Sequence, residues 1–234
     1  MFIGCDSSGY LQKDRYLTLG TVWISKEQLP KYEEAVCLFR LKNKLWGEIK
    51  WEKITPQKLK EYKLFLNISL ADFSPEIKII LRDKKIRVPK GYFKNKGEMI
   101  STFYYMLISN HIGRKTQKTS FDILLDKENW INEQSLNLKG FLQFSFIKGN
   151  CGHLLNHLSQ CDSKICSAIQ LCDLVIGAVS AKLNQNRISN DKKEIIEHIE
   201  KILNHPFDKP TLPSAKKFNL WLWRPTINSS TPIT

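Results

Sequence analysis

The amino-acid sequence predicts an α/β fold, a β-sheet flanked by helices, on the strength of three observations. Short apolar strands alternate along the chain with segments of helical periodicity. Two of these strands, Phe2–Cys5 and Phe121–Leu125, lead directly into an aspartate. A long apolar helix, Lys164–Val179, carries one acid, Asp173, although an ionised carboxylate in such a helix is costly unless it meets a cation or several donors. The sequence therefore places acids both at strand ends and on a buried helix.

Length and charge limit the functional classes. The chain has 234 residues, which suits one substantial core, so we predict a single domain over 1–227 and a disordered tail over 228–234. The net charge of +13 favours a polyanionic partner such as nucleic acid. No run approaches the roughly 18 apolar residues of a membrane helix, and Asp6 comes too early for a signal peptide. We therefore predict a cytoplasmic protein with no membrane association.

The first elements form a predicted hairpin followed by a helix. Phe2–Cys5 is a short buried strand, and Tyr16–Ile24 is a second strand rich in aromatic and β-branched residues. Their short linker predicts antiparallel pairing. Ser25, with Gln28 three residues later, is a capping-box pattern that predicts a helix running to about Leu45.

A short extended segment, Trp46–Trp51, follows this helix. Gly47 ends the helix, and Glu48 and Lys50 fall on one face of the segment between two tryptophans. Taken alone, this pattern is explained by a surface ion pair beside two core aromatic residues. A second helix is predicted over 58–70, after Pro56 at its first position.

A predicted strand over Glu76–Leu81 leads into a basic segment, Arg82–Lys96. The segment contains a single acid and interleaves Tyr92 and Phe93 with its cations, a composition that suits phosphate contact and base stacking. A solvated lysine-rich loop is an equal alternative. The candidate nucleic-acid-binding residues are the cations that follow the strand: Lys84, Lys85, Arg87, Lys90, Lys94 and Lys96.

The alternation of helices and strands continues to the C-terminus. We predict a helix over 97–113, a strand ending on Asp126, a polar helix over about 129–139 and a strand over 141–147. A loop to Ser163, the buried helix and an amphipathic helix over about 191–203 follow. The C-terminal extension, 186–227, is predicted to be helical, with its last apolar run packing the C-terminus.

The cysteines predict buried thiols in a reducing compartment, because six over this length are too few for a disulfide scaffold. One group of cysteines and histidines is close in sequence but lacks a C-x-x-C pair, so structural zinc is kept only as an alternative. Its members are Cys151, His153, His157, Cys161 and Cys166.

The acids suggest a metal site when they are considered together. Asp6 and Asp126 end two strands, which would bring their carboxylates together if the strands were neighbours. Glu48 and Asp173 complete a set without histidine or cysteine, the hard-oxygen chemistry that suits Mg²⁺ or Mn²⁺. Two such ions ~3.5–4 Å apart activate water and stabilise the leaving oxygen in phosphoryl displacement.

Several motifs, in this order and spacing over about residues 1–185, resemble the domain-of-unknown-function 3800 family. They are Cys5-Asp6-Ser7-Ser8-Gly9, Glu48-Ile49-Lys50-Trp51, Ile123-Leu124-Leu125-Asp126, Asp162-Ser163-Lys164 and the helix motif Gln170-Leu171-Cys172-Asp173-Leu174-Val175-Ile176-Gly177-Ala178. The resemblance implies a ribonuclease-H-like mixed sheet flanked by helices. It places Asp6 on the first strand, Asp126 on a central strand and Asp173 on a helix, with Glu48 completing the acidic set. It also implies a metal-dependent nuclease or a related phosphoryl-transfer activity.

The sequence departs from the family at Ser7, where a glutamate is common. Strand alternation from Asp6 would point this side chain away from the metals; if it were a ligand or base, its loss would put activity in doubt. Lys50 and Lys164 are candidate phosphate or carboxylate contacts, and Gln170 is a candidate to orient Asp173 or a water.

Three functional hypotheses follow from the sequence. The leading one is a Mg²⁺- or Mn²⁺-dependent nuclease acting on DNA or RNA, with Asp6, Glu48, Asp126 and Asp173 as catalytic metal ligands. A second is a catalytically silent nucleic-acid-binding module whose acids form a structural network. A third is a toxin or defence component that requires a protein partner.

Overall fold

The computed structural model describes residues 1–11, 13–89, 91–115, 117–127, 132–148, 152–185 and 188–225, with the backbone alone at 132–136. Within these ranges the strands are β1 Phe2–Ser8, β2 Tyr16–Ile24, β3 Glu76–Asp83, β4 Ser120–Asp126, β5 Leu154–Cys161 and β6 Phe218–Trp223. The α-helices are α1 Leu29–Asn43, α2 Leu59–Leu66, α3 Lys96–Ile112, α4 Asn132–Lys148, α5 Ser167–Leu183 and α6 Asn190–Leu203. None of the helices in these ranges is both long enough and apolar enough to cross a membrane.

The strands form one mixed sheet in the order β5-β4-β1-β2-β3-β6. β2 runs antiparallel to both neighbours, as the predicted hairpin requires, and every other adjacent pair is parallel. β1, β3, β4, β5 and β6 therefore all end at one edge of the sheet, which we call the carboxyl edge. The predicted α/β fold class, a mixed sheet flanked by helices, is confirmed.

Helices cover both faces of the sheet. One core cluster joins the sheet to α1, α2, α5 and α6, and the other joins it to α3 and α4. α5 lies very close to the strands, because a Cβ added at Gly20 would meet Ile176 and lie 3.1 Å from Cys172 Sγ. The sheet face under α5 is therefore the face on which acids at strand ends can meet an acid on this helix.

The predicted strand over 141–147 is wrong, because this segment is the second half of α4. The described buried apolar residues of α4 are Leu138, Leu142 and Phe146. These residues are four positions apart, so they lie on one face of a helix. This helical spacing decides the structure of the segment over the shorter alternation of polar and apolar residues. Gly140 does not end the helix, although glycine is an unfavourable residue in a helix interior.

The predicted loop before Ser163 is also wrong, because it contains β5. This strand is polar and lies at the sheet edge, and Leu158 is its one buried residue. Parallel strands usually contain longer apolar runs, and β5 contains none. β5 forms by backbone pairing with β4, so the hydrophobic pattern of the sequence does not reveal it.

The C-terminal extension is not wholly helical. After α6 the chain returns to the sheet as β6, which pairs in parallel with β3. The second predicted helix begins, by contrast, with a 3₁₀ turn, Pro56–Lys58, and ends as a π-helical segment, Asn67–Asp72. The predicted tail over 228–234 lies outside the described residues.

Candidate carboxylate site

Asp6 and Asp126 lie at the carboxyl edge on neighbouring strands. β1 and β4 are parallel, and Cys5 pairs with Leu125, so the two aspartates follow at the next position of each strand. Strand alternation puts both on the face covered by α5, since Cys5 and Leu125 pack into the core on the other face. Asp6 is only 5% exposed, so its carboxylate lies in the protein and not at its surface.

Backbone donors hold these two carboxylates. Asp6 Oδ1 accepts a hydrogen bond of 2.7 Å from the N–H of Ser7, and Asp126 Oδ1 accepts one of 2.9 Å from Lys127. Burial raises the pKa of Asp126, while Lys50 and neighbouring donors oppose the shift. A raised pKa on an aspartate near other acids is typical of functional sites.

Asp173 projects from α5 toward the same acids. Its Oδ2 accepts a 2.5 Å hydrogen bond from the backbone N–H of Trp51. Burial raises the pKa of Asp173 to about 6, with further contributions from the charges of Asp126 and Glu48, against the opposing effects of this N–H and of Lys50. The carboxyl of Asp173 is therefore part of a crowded acidic group.

Glu48 is held by two side-chain donors. Its side chain is 8% exposed, and its oxygens accept hydrogen bonds of 2.7 Å from Ser163 Oγ and 2.7 Å from Lys53 Nζ. Burial opposes ionisation, but these donors together with Lys50 hold the pKa of Glu48 below its usual value. Glu48 is therefore a carboxylate at neutral pH.

Ser163 is a site residue that the sequence analysis did not single out. Its hydroxyl donates to Glu48, and its closeness to Asp126 opposes the rise in the pKa of that aspartate. Ser163 thus acts on an acid from the segment after α1 and on an acid from β4. The sequence feature that could have identified Ser163 is its place in the motif Asp162-Ser163-Lys164, which resembles a motif of the family.

Lys50 lies close enough to all four acids for each to act on its charge. Partial burial opposes its ionisation, but attraction to Asp173, Glu48, Asp126 and Asp6, in that order of strength, raises the pKa of Lys50 above its usual value. Its Nζ is 3.9 Å from Glu48 Oε1. The four predicted acids therefore act on one cationic group.

Gln170 connects the segments that carry these residues. Its Oε1 accepts hydrogen bonds from the N–H of Ile49 at 3.2 Å and from Arg40 at 2.5 Å, and its Nε2 donates to the carbonyls of residues 163 and 164 at 2.6 and 3.1 Å. The amide was predicted to orient Asp173 or a water. These bonds instead hold the Glu48 segment against the Ser163 turn.

The rim of the site carries exposed apolar and basic groups. Lys164 is exposed and lies next to Ile165, whose exposed fraction is 80%. Trp46, two residues before Glu48, is 71% exposed. An exposed aromatic residue and a cation beside buried carboxylates are suited to contact the bases and phosphates of a nucleic acid.

The basic segment leaves β3 at the same carboxyl edge. Lys84 Nζ donates to the carbonyls of Gly9 at 2.7 Å and Leu11 at 2.8 Å, and Lys96 Nζ lies 3.7 Å from the centre of the Tyr10 ring. Lys84 and Lys96 thus hold the segment against the turn that follows Asp6. The other predicted phosphate-binding residues within the described ranges, all exposed, are Lys85, Arg87 and Lys94, whereas Lys90 lies outside those ranges.

Ser7, the departure from the family pattern, lies on the other face of β1 from Asp6. Its hydroxyl forms a hydrogen bond with the hydroxyl of Tyr10. Tyr10 packs against the core under α3 and α4. A longer side chain at this position would start on the face away from the other three acids.

The predicted alternative zinc ligands make other contacts. His153 Nδ1 accepts a hydrogen bond of 3.2 Å from the N–H of Thr119, and its ring packs on Phe121. His157 forms a 2.7 Å hydrogen bond with Ser159. Cys151 lies outside the described residues.

Comparison with known proteins finds likeness in solved structures alone. The chain is similar to ribonuclease H2 from Pyrococcus horikoshii OT3, with 12% identity, a TM-score of 0.42 and coverage of 91% of this chain and 90% of that one. It is also similar to a ribonuclease HII of Archaeoglobus fulgidus, solved as a complex with PCNA, with 12% identity, a TM-score of 0.44 and coverage of 88% and 92%. No family model and no curated protein matches the chain. Membership of the domain-of-unknown-function 3800 family therefore stays a prediction.

The acids fit a hard divalent cation in their chemistry. All four supply carboxylate oxygens, the ligands that Mg²⁺ and Mn²⁺ prefer. The raised pKa of Asp173 is the expected result of gathering several acids in a buried place, and a bound cation would reverse it. In the side-chain positions of the described residues, no three acidic, histidine or cysteine side chains are arranged to hold an ion. Lys50 supplies positive charge near these acids, with its Nζ 3.9 Å from Glu48 Oε1.

Gly177 allows Trp51 to pack on α5, and its substitution provides a test of this contact. A Cβ added at Gly177 would lie 2.7 Å from Trp51 Cβ and 2.8 Å from its Cδ2. We expect Gly177→Ala to displace Trp51, weaken its hydrogen bond to Asp173 and reduce the free energy of unfolding by about 1–3 kcal/mol. Chemical denaturation measures this change.

Gly140→Ala is the matched control for this substitution. Gly140 is also within a helix, but nothing lies within 4 Å of an added Cβ. We expect Gly140→Ala to increase the free energy of unfolding by up to about 1 kcal/mol, because alanine is the better helix former. An equal gain from both substitutions would contradict the close packing of Trp51 on Gly177.

Proposed function

We propose that the protein is a Mg²⁺- or Mn²⁺-dependent nuclease that hydrolyses phosphodiester bonds at the carboxyl edge of the sheet. Its metal ligands in this proposal are Asp6, Glu48, Asp126 and Asp173. The observation that carries it is that these four acids, from two strands, a loop and a helix, lie at one edge of the sheet, close enough for each to act on the charge of Lys50. The oxygen ligands that a divalent cation prefers are thus supplied by separate elements at one edge.

The chain's own residues hold this donor set in place. The N–H of Trp51 fixes Asp173, and the hydroxyl of Ser163 fixes Glu48. When bound, Mg²⁺ or Mn²⁺ would supply the Lewis-acid activation of water and the stabilisation of the leaving oxygen. In this proposal, Lys50 is released from the carboxylates and donates to a phosphate oxygen of the substrate.

The same edge of the sheet presents the groups that would bind the nucleic acid. Exposed cations of the basic segment, Lys85, Arg87 and Lys94, lie on the chain that packs against the turn after Asp6. Their contribution is electrostatic, so we expect binding to weaken as salt increases. Trp46 at the rim provides a flat surface on which an unpaired base can stack.

A catalytically silent nucleic-acid-binding module is the second candidate. The pairing of Glu48 with Lys53 at 2.7 Å favours it, because an acid that is already neutralised is available to a metal only after this ion pair opens. In this alternative the acids and Lys50 form a permanent structural network. The basic segment would then bind nucleic acid without hydrolysis.

A cleavage assay separates the two candidates. Purified protein is incubated with end-labelled single- and double-stranded DNA and RNA, in Mn²⁺, in Mg²⁺ and in EDTA. The nuclease proposal expects cleavage of at least one substrate with a divalent cation and none in EDTA. Salt-sensitive binding without cleavage supports the silent module, and undiminished cleavage in EDTA contradicts the metal-dependent mechanism.

A further inference from the structure

A second concave surface lies at the edge of the sheet opposite the carboxylates. This cleft has a volume of about 780 Å³ and is lined by the start of β3, the chain at the end of α3 and a loop over 213–216. Its size lies within the ~300–1,000 Å³ range of small-molecule sites. The length of the strands, about 20 Å at ~3.3 Å per residue, separates it from the carboxyl edge.

Among the described residues that line the cleft, basic side chains outnumber acidic ones. Arg114 and Lys115 follow the C-terminal end of α3, where the helix dipole favours cations, so their positions alone have a structural explanation. Lys78 comes from the start of β3, and Lys216 comes from the loop. Three separate parts of the chain therefore direct positive charge into one cleft, and Glu76 is the acid that faces them.

The floor of the cleft has more positive than negative charge. Lys78 has a side chain only 2% exposed, and its Nζ lies 3.3 Å from Glu76 Oε2. The other oxygen of Glu76 accepts a 2.5 Å hydrogen bond from Lys115. Two ammonium groups thus share one carboxylate, and that of Lys78 also donates a hydrogen bond to the backbone carbonyl of Lys216, which is not a full counter-charge. Burying a charge without a full counter-charge is costly, and a bound anion would reduce that cost.

The wall of the cleft has apolar and neutral polar groups beside these cations. Pro213 and Ala215 line the loop side, and His111 lines the helix side. Burial lowers the pKa of His111 to about 3, so its imidazole is neutral at physiological pH and adds no charge. A ligand with an anionic end and a flat, less polar part matches this division of the surface.

We propose that this cleft binds a small phosphate-bearing molecule of nucleotide size. Arg114 is exposed at its mouth and is anchored by a hydrogen bond from Nη1 to the carbonyl of Pro213. A guanidinium has five N–H donors, so an arginine fixed in this way still presents donors to phosphate oxygens. Lys216 contributes the second cation at the mouth, and the Lys78–Glu76–Lys115 group forms the positive floor.

Calorimetric titration of the full chain with ADP and with inorganic pyrophosphate, in EDTA, tests this proposal. We expect binding of both probes at one site per chain. Arg114→Gln and Lys216→Gln should each weaken binding about tenfold, the effect of losing one charge-assisted contact. Lys78→Met should weaken it further, and circular dichroism shows whether that buried substitution leaves the protein folded.

The control removes a positive charge elsewhere on the surface. Lys209 is exposed and is not among the described residues lining the cleft, so Lys209→Gln should leave both titrations unchanged. An equal loss in this control would mean general attraction to a basic protein and would overturn the proposal. Binding of 5′-phosphorylated oligonucleotides without binding of either small probe would also overturn it.

The outcome is independent of the nuclease proposal. The titration contains EDTA, and the cleft shares no residue with the four acids. Asp6→Asn should therefore bind ADP as the wild-type protein does, even when it no longer cleaves nucleic acid. Loss of ADP binding in Asp6→Asn would show that the probe binds at the carboxyl edge and would overturn the assignment to this cleft.

Discussion

Asp6→Asn and Asp173→Asn are each expected to reduce metal-dependent cleavage at least about a thousandfold, on the order of 4 kcal/mol of transition-state stabilisation. Asparagine keeps the size of aspartate, and at position 173 it keeps an oxygen that can accept the N–H of Trp51. It removes the negative charge that a divalent cation needs. Single-turnover rates on the best substrate of the cleavage assay measure the loss.

Asp122→Asn is the control for these substitutions. Asp122 lies on β4 as Asp126 does, but at the other end of the strand, where it forms an ion pair of 2.5 Å with Lys26. We expect this variant to keep cleavage near the wild-type rate. Metal-dependent cleavage that survives in both Asp6→Asn and Asp173→Asn would mean that the reaction takes place elsewhere on the protein.

The strand-end acids could be predicted because their signal is local. An apolar strand that ends on an aspartate is visible in a few residues, as at Asp6 and Asp126, and the charge of Asp173 stands out within an apolar helix. Whether the two strands are neighbours is not local. The parallel pairing of β1 with β4 joins segments more than 100 residues apart, and the hydrophobic pattern does not specify it.

The contacts between loops could not be predicted for the same reason. Ser163 touches Glu48, and Gln170 bonds to the N–H of Ile49, in both cases across more than 100 residues of sequence. The predicted role of Gln170 assumed that a residue one helical turn from Asp173 acts on it. The amide instead makes its hydrogen bonds with the backbone of two loops, because buried backbone groups there need partners.

The polar composition of the edge strand β5 prevented its prediction from the sequence. β5 has only Leu158 fully buried, so nothing in its pattern distinguishes it from a loop. In α4 the opposite problem arises, because its apolar residues are frequent enough to suggest alternation, although the buried ones are four residues apart. Neither error displaces the acids, since both β1 and β4 were predicted as strands.

Asp173 is also expected to make the free energy of unfolding decrease as pH rises, and this direction tests whether Asp173 is a metal ligand. Its pKa is about 6 in the folded protein and near 3.9 in an unfolded chain. Between these values the folded state binds more protons, so the free energy of unfolding falls as pH rises. At pH 7 in EDTA we expect a cost of about 1–2 kcal/mol from this group, after allowance for solvent screening.

Removing the charge at Asp173 should therefore stabilise the protein while it abolishes cleavage. In EDTA, Asp173→Asn is expected to unfold at higher denaturant concentration than wild type at pH 7 and at a similar concentration at pH 4. The difference between the two proteins isolates this group from Asp126, whose pKa is also raised, and from Glu48, whose pKa is lowered. Added Mn²⁺ should stabilise the wild type at pH 7 and have little effect on the variant, because binding to the folded state alone raises stability.

A substitution that increases stability while it abolishes cleavage distinguishes a metal ligand from a structural acid. If Asp173 were one member of a permanent network with Lys50, its neutralisation would leave a partly buried ammonium group with less compensation, and the variant would be less stable at pH 7. A gain in stability together with loss of cleavage means instead that the four acids are held together against their mutual repulsion. Proteins keep such an arrangement where function requires it, and under the nuclease proposal cation binding would relieve the repulsion.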